Sequence, residues 1–191
     1  MLMSFPRRVK IFKIRTTTGV RFLGLAAGIF MVDSVDDFIR RMVQMDAEMD
    51  TVTQAFNASR VAGAEHLVHS SRLAIIANER GCGFADCLAV ELICWAAAER
   101  QIYRAFEKIG VRQGRNALAV ASVGRPEVRV KKTVGKIFDE FGAEWDNSLM
   151  DFRQEKSLGL QRIFSITPEE TAVAPLQKIV LERVALLALA K

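Results

Sequence analysis

Between Val61 and Val111 the apolar and polar positions follow a helical period three times in close succession, and glycine punctuates the runs. In the first run Ala64, Leu67, Val68, Ser71, Ala74 and Ile75 fall at i, i+3, i+4, i+7, i+10 and i+11, a spacing that stacks side chains on one helix face, while Glu65, Arg72 and Glu79 line another side. Gly81 and Gly83 then break the helix, where a left-handed C-terminal turn favours a residue without Cβ. From Phe84 to Ala97 the chain is apolar almost all round, interrupted only by Asp86 and Glu91, which predicts a core helix enclosed on most sides. The third run, Glu99 to Ile109, is amphipathic. Ile102, Ala105, Phe106 and Ile109 face inward, Arg100, Arg104 and Lys108 face outward, and Gly110 ends it.

The flanks mix strand and helix signals. Arg7 to Ile14 combines β-branched and basic residues and reads as a strand, Thr16 to Gly19 as a turn, and Val20 to Met31 as a further strand or a helix. Asp33 or Ser34 can cap a helix with Asp36 and Asp37 in its first turn and Phe38, Met42 and Met45 on its inner face; Thr51 to Phe56 then reads as a strand. Beyond the central helices Asn116 to Val123 predicts a buried strand closed by Gly124, and Pro126 suits the first position of the next helix. There Val130, Val134, Ile137, Phe138 and Phe141 form an apolar stripe. Arg125, Arg129, Lys132 and Lys136 form a basic one, whose like charges repel unless an anion lies nearby: either a solvated face or a phosphate-contacting one. Residues 144 to 163 read as one more helix, loosened near Ser157 and Gly159. Thr167, Pro168 and Glu170 spell a capping box, Pro175 cuts that element short, and Leu176, Val180, Val184 and Leu187 line one side of a last helix whose other sides carry Leu181, Ala185, Leu186, Ala188 and Leu189. The expected fold class is α+β: a single domain over residues 1–191, with a small, mostly antiparallel sheet packed by several α-helices.

Composition narrows the function. A chain of 191 residues, half of them hydrophobic, is long enough to bury a core without disulfides or metal. The net charge of +5 fits an anionic partner and fits ordinary solvated surface equally well. Cys82, Cys87 and Cys94 are odd in number and make no CxxC pair, and seven residues of helix separate the last two by about 10 Å, too far for a disulfide. Reduced, buried thiols are expected, with a zinc site using them and His66 and His69 as the lesser alternative, and no cofactor or metal. Basic residues from Arg7 to Arg15 before the apolar run Phe22 to Val32 mimic a signal peptide, but Asp33-Ser34-Val35-Asp36 follows in place of a cleavage site. Without an apolar run of about 18 residues for a membrane helix, a cytoplasmic protein is expected.

Catalytic signatures are scarce. There is no Walker or dinucleotide glycine loop and no GxSxG elbow. Glu91 within an apolar helix could be a catalytic carboxylate, though hydrogen bonding to a helix end or an arginine is the plainer reading; His66 and His69 lack an HExxH context and suit the edge of a core. Tyr103 between Arg100 and Arg104 is an aromatic with flanking cations, the means by which unpaired bases are stacked and held.

Val61-Ala62-Gly63-Ala64-Glu65-His66-Leu67, then Glu91-Leu92, Arg100-Gln101-Ile102 and Gly110-Val111, resemble the kinase-binding subunit of the KEOPS complex. A second block, Phe164-Ser165-Ile166-Thr167 followed by Leu181-Glu182-Arg183-Val184-Ala185-Leu186, sits at the chain end as in that family. The match lies in the order and spacing of these blocks. The resemblance implies a non-catalytic subunit that docks on a small atypical kinase and, in archaeal members, binds the 3′ CCA end of tRNA, within a complex that makes the threonylcarbamoyl modification of adenosine. On that footing Arg72, Arg100 and Arg104 are expected to reach phosphates, Tyr103 to lie near a base, and Val184 and Leu187 to help meet the kinase. The competing readings are a stand-alone basic RNA-binding domain and a small enzyme working through Glu91, His66 or His69.

Overall fold

A computed structural model describes residues 8–189; Arg7, where the first predicted strand was to open, lies outside them. In chain order the elements are β1 (Lys10–Thr16), β2 (Gly19–Val32), α1 (Val35–Met49), β3 (Thr51–Asn57), α2 (Ala64–Glu79), α3 (Leu88–Ala96) and α4 (Ile102–Ile109). There follow β4 (Gly114–Gly124), α5 (Glu127–Glu140), β5 (Glu144–Trp145), α6 (Ser157–Phe164), α7 (Pro168–Val173) and α8 (Leu176–Leu186). The fold is α+β, and its contacts gather into two compact units, Met1–Ala55 with Val111–Leu149 and Phe56–Gly110 with Met150–Lys191.

The first unit is built on β2. This strand is apolar through its middle because it has neighbours on both edges: β1 pairs antiparallel from Lys10↔Leu25 to Thr16↔Gly19, and β4 pairs antiparallel from Phe22↔Gly124 to Val32↔Gly114. The segment 20–31 is therefore strand and not helix. The sheet runs β1-β2-β4-β3, with β5 also laid antiparallel on β2 at Gly28↔Trp145. Ser34 caps α1, its hydroxyl accepting from the Asp37 N–H at 3.3 Å, and Phe38, Met42 and Met45 are buried as their spacing requires. They meet Phe30 and the apolar stripe of α5 in an aromatic cluster: the Phe30 ring lies 4.9 Å from Phe138 and 6.0 Å from Phe38, both edge-on, and Phe38 lies 4.5 Å from Phe141.

Two polar features complete this unit. The buried Asp46 carboxylate accepts from Thr51 Oγ1, Thr53 Oγ1 and the Thr53 N–H, each at 2.7 Å, and Thr53 Oγ1 donates to Ser122 Oγ at 2.9 Å, so the end of α1 is tied to β3 and β4. Burial pushes the Asp46 carboxyl upward against those bonds. The basic stripe of α5 finds its counter-charges within the chain: Arg129 pairs with Asp50 at 2.8 Å, Lys136 with Glu48, and the Arg125 guanidinium donates to the Thr18 carbonyl. Exposed pairs of this kind contribute less than about 1 kcal/mol each. They explain how the like charges coexist without an external phosphate.

The second unit is helical. Its α2 packs against α3 and α8, α3 against α4, and α6 against α8. Ser70, Ser71, Ala74 and Ala77 on the buried side of α2 keep that side short. Gly81 takes φ +65° after the last turn of α2, the left-handed stop read from the sequence. Four expectations require correction. The core helix starts at Leu88 and not Phe84, because 84–87 are drawn off the helix path toward the Glu91 carboxylate. The third run becomes helical only from Ile102, which is 44 % exposed, so the inward face is carried by Ala105 and Ile109 with Phe106 half-buried. Residues 144–163 are not one helix: β5 and two short 3-10 turns, Asn147–Met150 and Gln154–Lys156, precede α6, which opens at Ser157 where the helix was expected to loosen. Pro126 stands one residue before α5, as its cap. The Thr167 capping box on α7 forms as its spelling requires, with the Glu170 carboxylate accepting from the Thr167 N–H at 2.9 Å.

His66 joins two of these helices. Its Nδ1 accepts from the Ala62 N–H at 3.2 Å and its Nε2 lies 2.8 Å from the Ala96 carbonyl, which fixes the Nε2–H tautomer, while its ring meets Phe164 edge-on at 5.6 Å. One imidazole thus serves the chain entering α2 and the last turn of α3. Burial pushes its pKa down to about 4, since a proton on Nδ1 would face the Ala62 N–H.

Two outcomes are expected from this fold. At Gly28 an added Cβ would lie 2.6 Å from the Phe138 ring and against the Glu144 carbonyl, so Gly28→Ala should lower the unfolding free energy by about 1–3 kcal/mol in denaturant titration; an unchanged midpoint would contradict the close crossing of β5 over β2. The unfolded chain protonates His66 near 6.5 and the native state near 4. The neutral form stabilises the fold above pH 6.5, and that contribution, about 3 kcal/mol, is lost as pH falls through this window. Stability curves of the wild type and His66→Gln should converge toward pH 4, whereas parallel curves would contradict the assignment.

Candidate functional site

The outward features of the second unit gather where α3 turns into α4. Glu91, in the first turn of α3, is fully buried. Its Oε1 accepts from the Phe84 and Ala85 N–H groups, the latter at 2.6 Å, and its Oε2 accepts from Trp95 Nε1 at 2.8 Å. The loop 81–87 is thereby folded back over its own helix. The Phe84 ring lies 5.4 Å from that of Trp95 at 33°, and the Arg100 guanidinium sits 5.1 Å from the centre of Phe84. Glu99 accepts from the Gln101 N–H and pairs with Lys108 at 3.1 Å, which closes the turn from α3 into α4 and holds its carboxyl below the usual range against the opposing effect of burial.

The residues singled out by sequence divide between this corner and other places. Arg100, Tyr103 and Arg104 are all exposed at the start of α4. Tyr103 is 73 % exposed and donates its hydroxyl to Glu107 at 2.9 Å, leaving the ring outward. Arg72 is exposed on α2, one turn after His69, whose pKa is lowered by burial and then by the Arg72 charge. Val184 and Leu187 are buried in the chain itself: the stripe Leu176, Val180, Val184 and Leu187 faces the unit's core, so these two cannot touch a partner directly. The apolar surface that this end of the chain does offer is Leu186, 45 % exposed, and Leu189, 75 % exposed. Reading the stripe one step further, to the positions it leaves outside, would have found them.

The candidate chemical groups are enclosed. Glu91 and His66 spend their polar atoms on internal hydrogen bonds, and Glu91 is satisfied by loop amides and an indole where a helix end or an arginine was expected. The expectation of three buried thiols is corrected: Cys82 and Cys87 are exposed on the loop, and only Cys94 is buried, its thiol pushed up to about 11 by burial and the nearby Glu91 charge. Among the described residues no cluster of three or more His, Cys, Asp or Glu side chains converges to hold a metal, and no helix is long and apolar enough to cross a membrane. Sequence reasoning missed Lys156, whose ammonium donates to the Ala58 carbonyl at 2.8 Å and whose pKa burial lowers to about 8. It also missed Phe84, whose only signal was an aromatic directly after the second of two closely spaced glycines.

Comparison with known proteins agrees with this arrangement of binding surfaces around an inert interior. The regulatory protein Cgi121 of Methanocaldococcus jannaschii is 28% identical over 138 residues, which cover 72% of this chain and 84% of that protein. A family model described as kinase binding protein CGI-121 matches residues 32–188, a span that includes α1 through α8 and the Glu91–Arg100 corner. With most of its length matched, the chain belongs to the kinase binding protein CGI-121 family.

Proposed function

We propose that this chain is the non-catalytic kinase-binding subunit of a cytoplasmic KEOPS complex, that it binds and activates the small atypical kinase, and that it also holds the 3′ CCA end of tRNA in support of threonylcarbamoyladenosine formation. The observation that carries the reading is the family match across 32–188, which runs through both compact units and supports their working as a single functional domain. The kinase surface is assigned to the end of α8, where Leu186 and Leu189 are exposed and Val184 and Leu187 seat the helix beneath them. The tRNA surface is assigned to the start of α4, where Arg100 and Arg104 flank an outward Tyr103 ring, with Arg72 as a further phosphate contact. Burial of Glu91 and His66, with their polar atoms engaged, favours binding over catalysis. A stand-alone RNA-binding domain would bind tRNA without retaining the kinase.

The immobilised protein should retain the purified kinase, and should retain intact tRNA more strongly than tRNA lacking CCA; indifference to both partners would overturn the reading. Arg100→Glu with Arg104→Glu should weaken tRNA binding and flatten its salt dependence, the slope falling by about 0.7 for each lost phosphate contact on a single strand. An unchanged slope would remove α4 from the tRNA surface.

A further inference from the structure

We propose that Glu91 is a positioning residue for the tRNA surface: its buried carboxylate fixes loop 81–87 so that Phe84 forms the platform on which the Arg100 guanidinium is oriented. This rests on the reading of Arg100 as a phosphate contact. The same carboxylate holds both members of the ring pair beneath Arg100. Oε1 accepts from the backbone of Phe84 and Ala85, and Oε2 accepts from the indole of Trp95, against which the Phe84 ring packs. Gly83 belongs to the device, since a Cβ there would fall 2.8 Å from the Glu91 carboxyl. A buried carboxylate needs donors, and here they come from a loop with little apolar surface of its own to hold it down. The consequence lies one residue pair outward. With its guanidinium 5.1 Å from the Phe84 centroid, Arg100 is restricted to a plane and keeps its N–H edge for an in-plane, bidentate partner such as a phosphate. Fixing a long side chain before binding removes an ordering cost on association.

The test uses the full-length protein and measures tRNA affinity, kinase retention and amide hydrogen exchange at Phe84 and Ala85. Phe84→Ala should weaken tRNA binding about threefold to tenfold while kinase retention is unchanged, and Phe84→Trp, which keeps a π-face, should bind as the wild type does. The double variant Phe84→Ala/Arg100→Ala should bind no more weakly than Arg100→Ala alone, because the platform acts through that guanidinium. Glu91→Gln should speed exchange at the two amides and weaken tRNA binding to the extent of Phe84→Ala. Multiplying losses in the double variant, or an opened loop with full tRNA affinity in Glu91→Gln, would overturn the positioning role while leaving Arg100 as a contact. Unaltered binding by Arg100→Ala would overturn the tRNA surface itself, and the positioning role with it. If Glu91→Gln fails to fold, the comparison of Phe84→Ala with Phe84→Trp decides the matter.

Discussion

A carboxylate without access to water must find its hydrogen-bond donors inside the protein, and the outward face of the second unit follows from how Glu91 meets that requirement. Its donors are the amides of Phe84 and Ala85 and the indole of Trp95, so a loop that would otherwise leave the helix is drawn back onto it. His66 imposes a matching constraint from the other end of α3, taking the Ala96 carbonyl and the Ala62 N–H together. Between them the two groups set where α3 begins and where it stops, and the exposed start of α4 is held in consequence.

The first unit solves a similar problem in a similar way. Asp46 is buried and surrounded by threonine hydroxyls, and its partners lie on β3, from which Thr53 passes the network on to Ser122 of β4. Such networks cost desolvation and return a fixed geometry. In both units the buried acid works as a fastener between elements, which is why acids inside an apolar surround here do not amount to an active site.

Much of this was legible in the sequence. The inward stripes of α1, α5 and α8, the Ser34 cap, the Thr167 capping box and the glycine stop at Gly81 follow from local spacing and backbone chemistry, and the structure places them as read. The identity of β2 was ambiguous because an apolar run carries no period; pairing with β1, β4 and β5 decided it. Loop 84–87 was misread as helix for a nonlocal reason: its apolar residues satisfy a helical pattern, yet the desolvated Glu91 claims their amides. Residues 144–163 failed similarly, since Trp145 stacks on Phe138 at 3.7 Å and Asn147 accepts from the Ala27 N–H, contacts that one sequence does not announce. For the binding residues, periodicity showed which side of α8 is apolar without showing that Val184 and Leu187 are the covered ones.

The central claim is that the chain holds two macromolecules by separate surfaces and performs no chemistry on either. A crossed binding measurement tests it most directly, with kinase and intact tRNA titrated in turn against two variants, Leu186→Asp/Leu189→Asp and Arg100→Glu/Arg104→Glu. The account requires the first to lose the kinase and keep tRNA, and the second to lose tRNA and keep the kinase. Equal effects of either variant on both partners, or no effect on either, would contradict it.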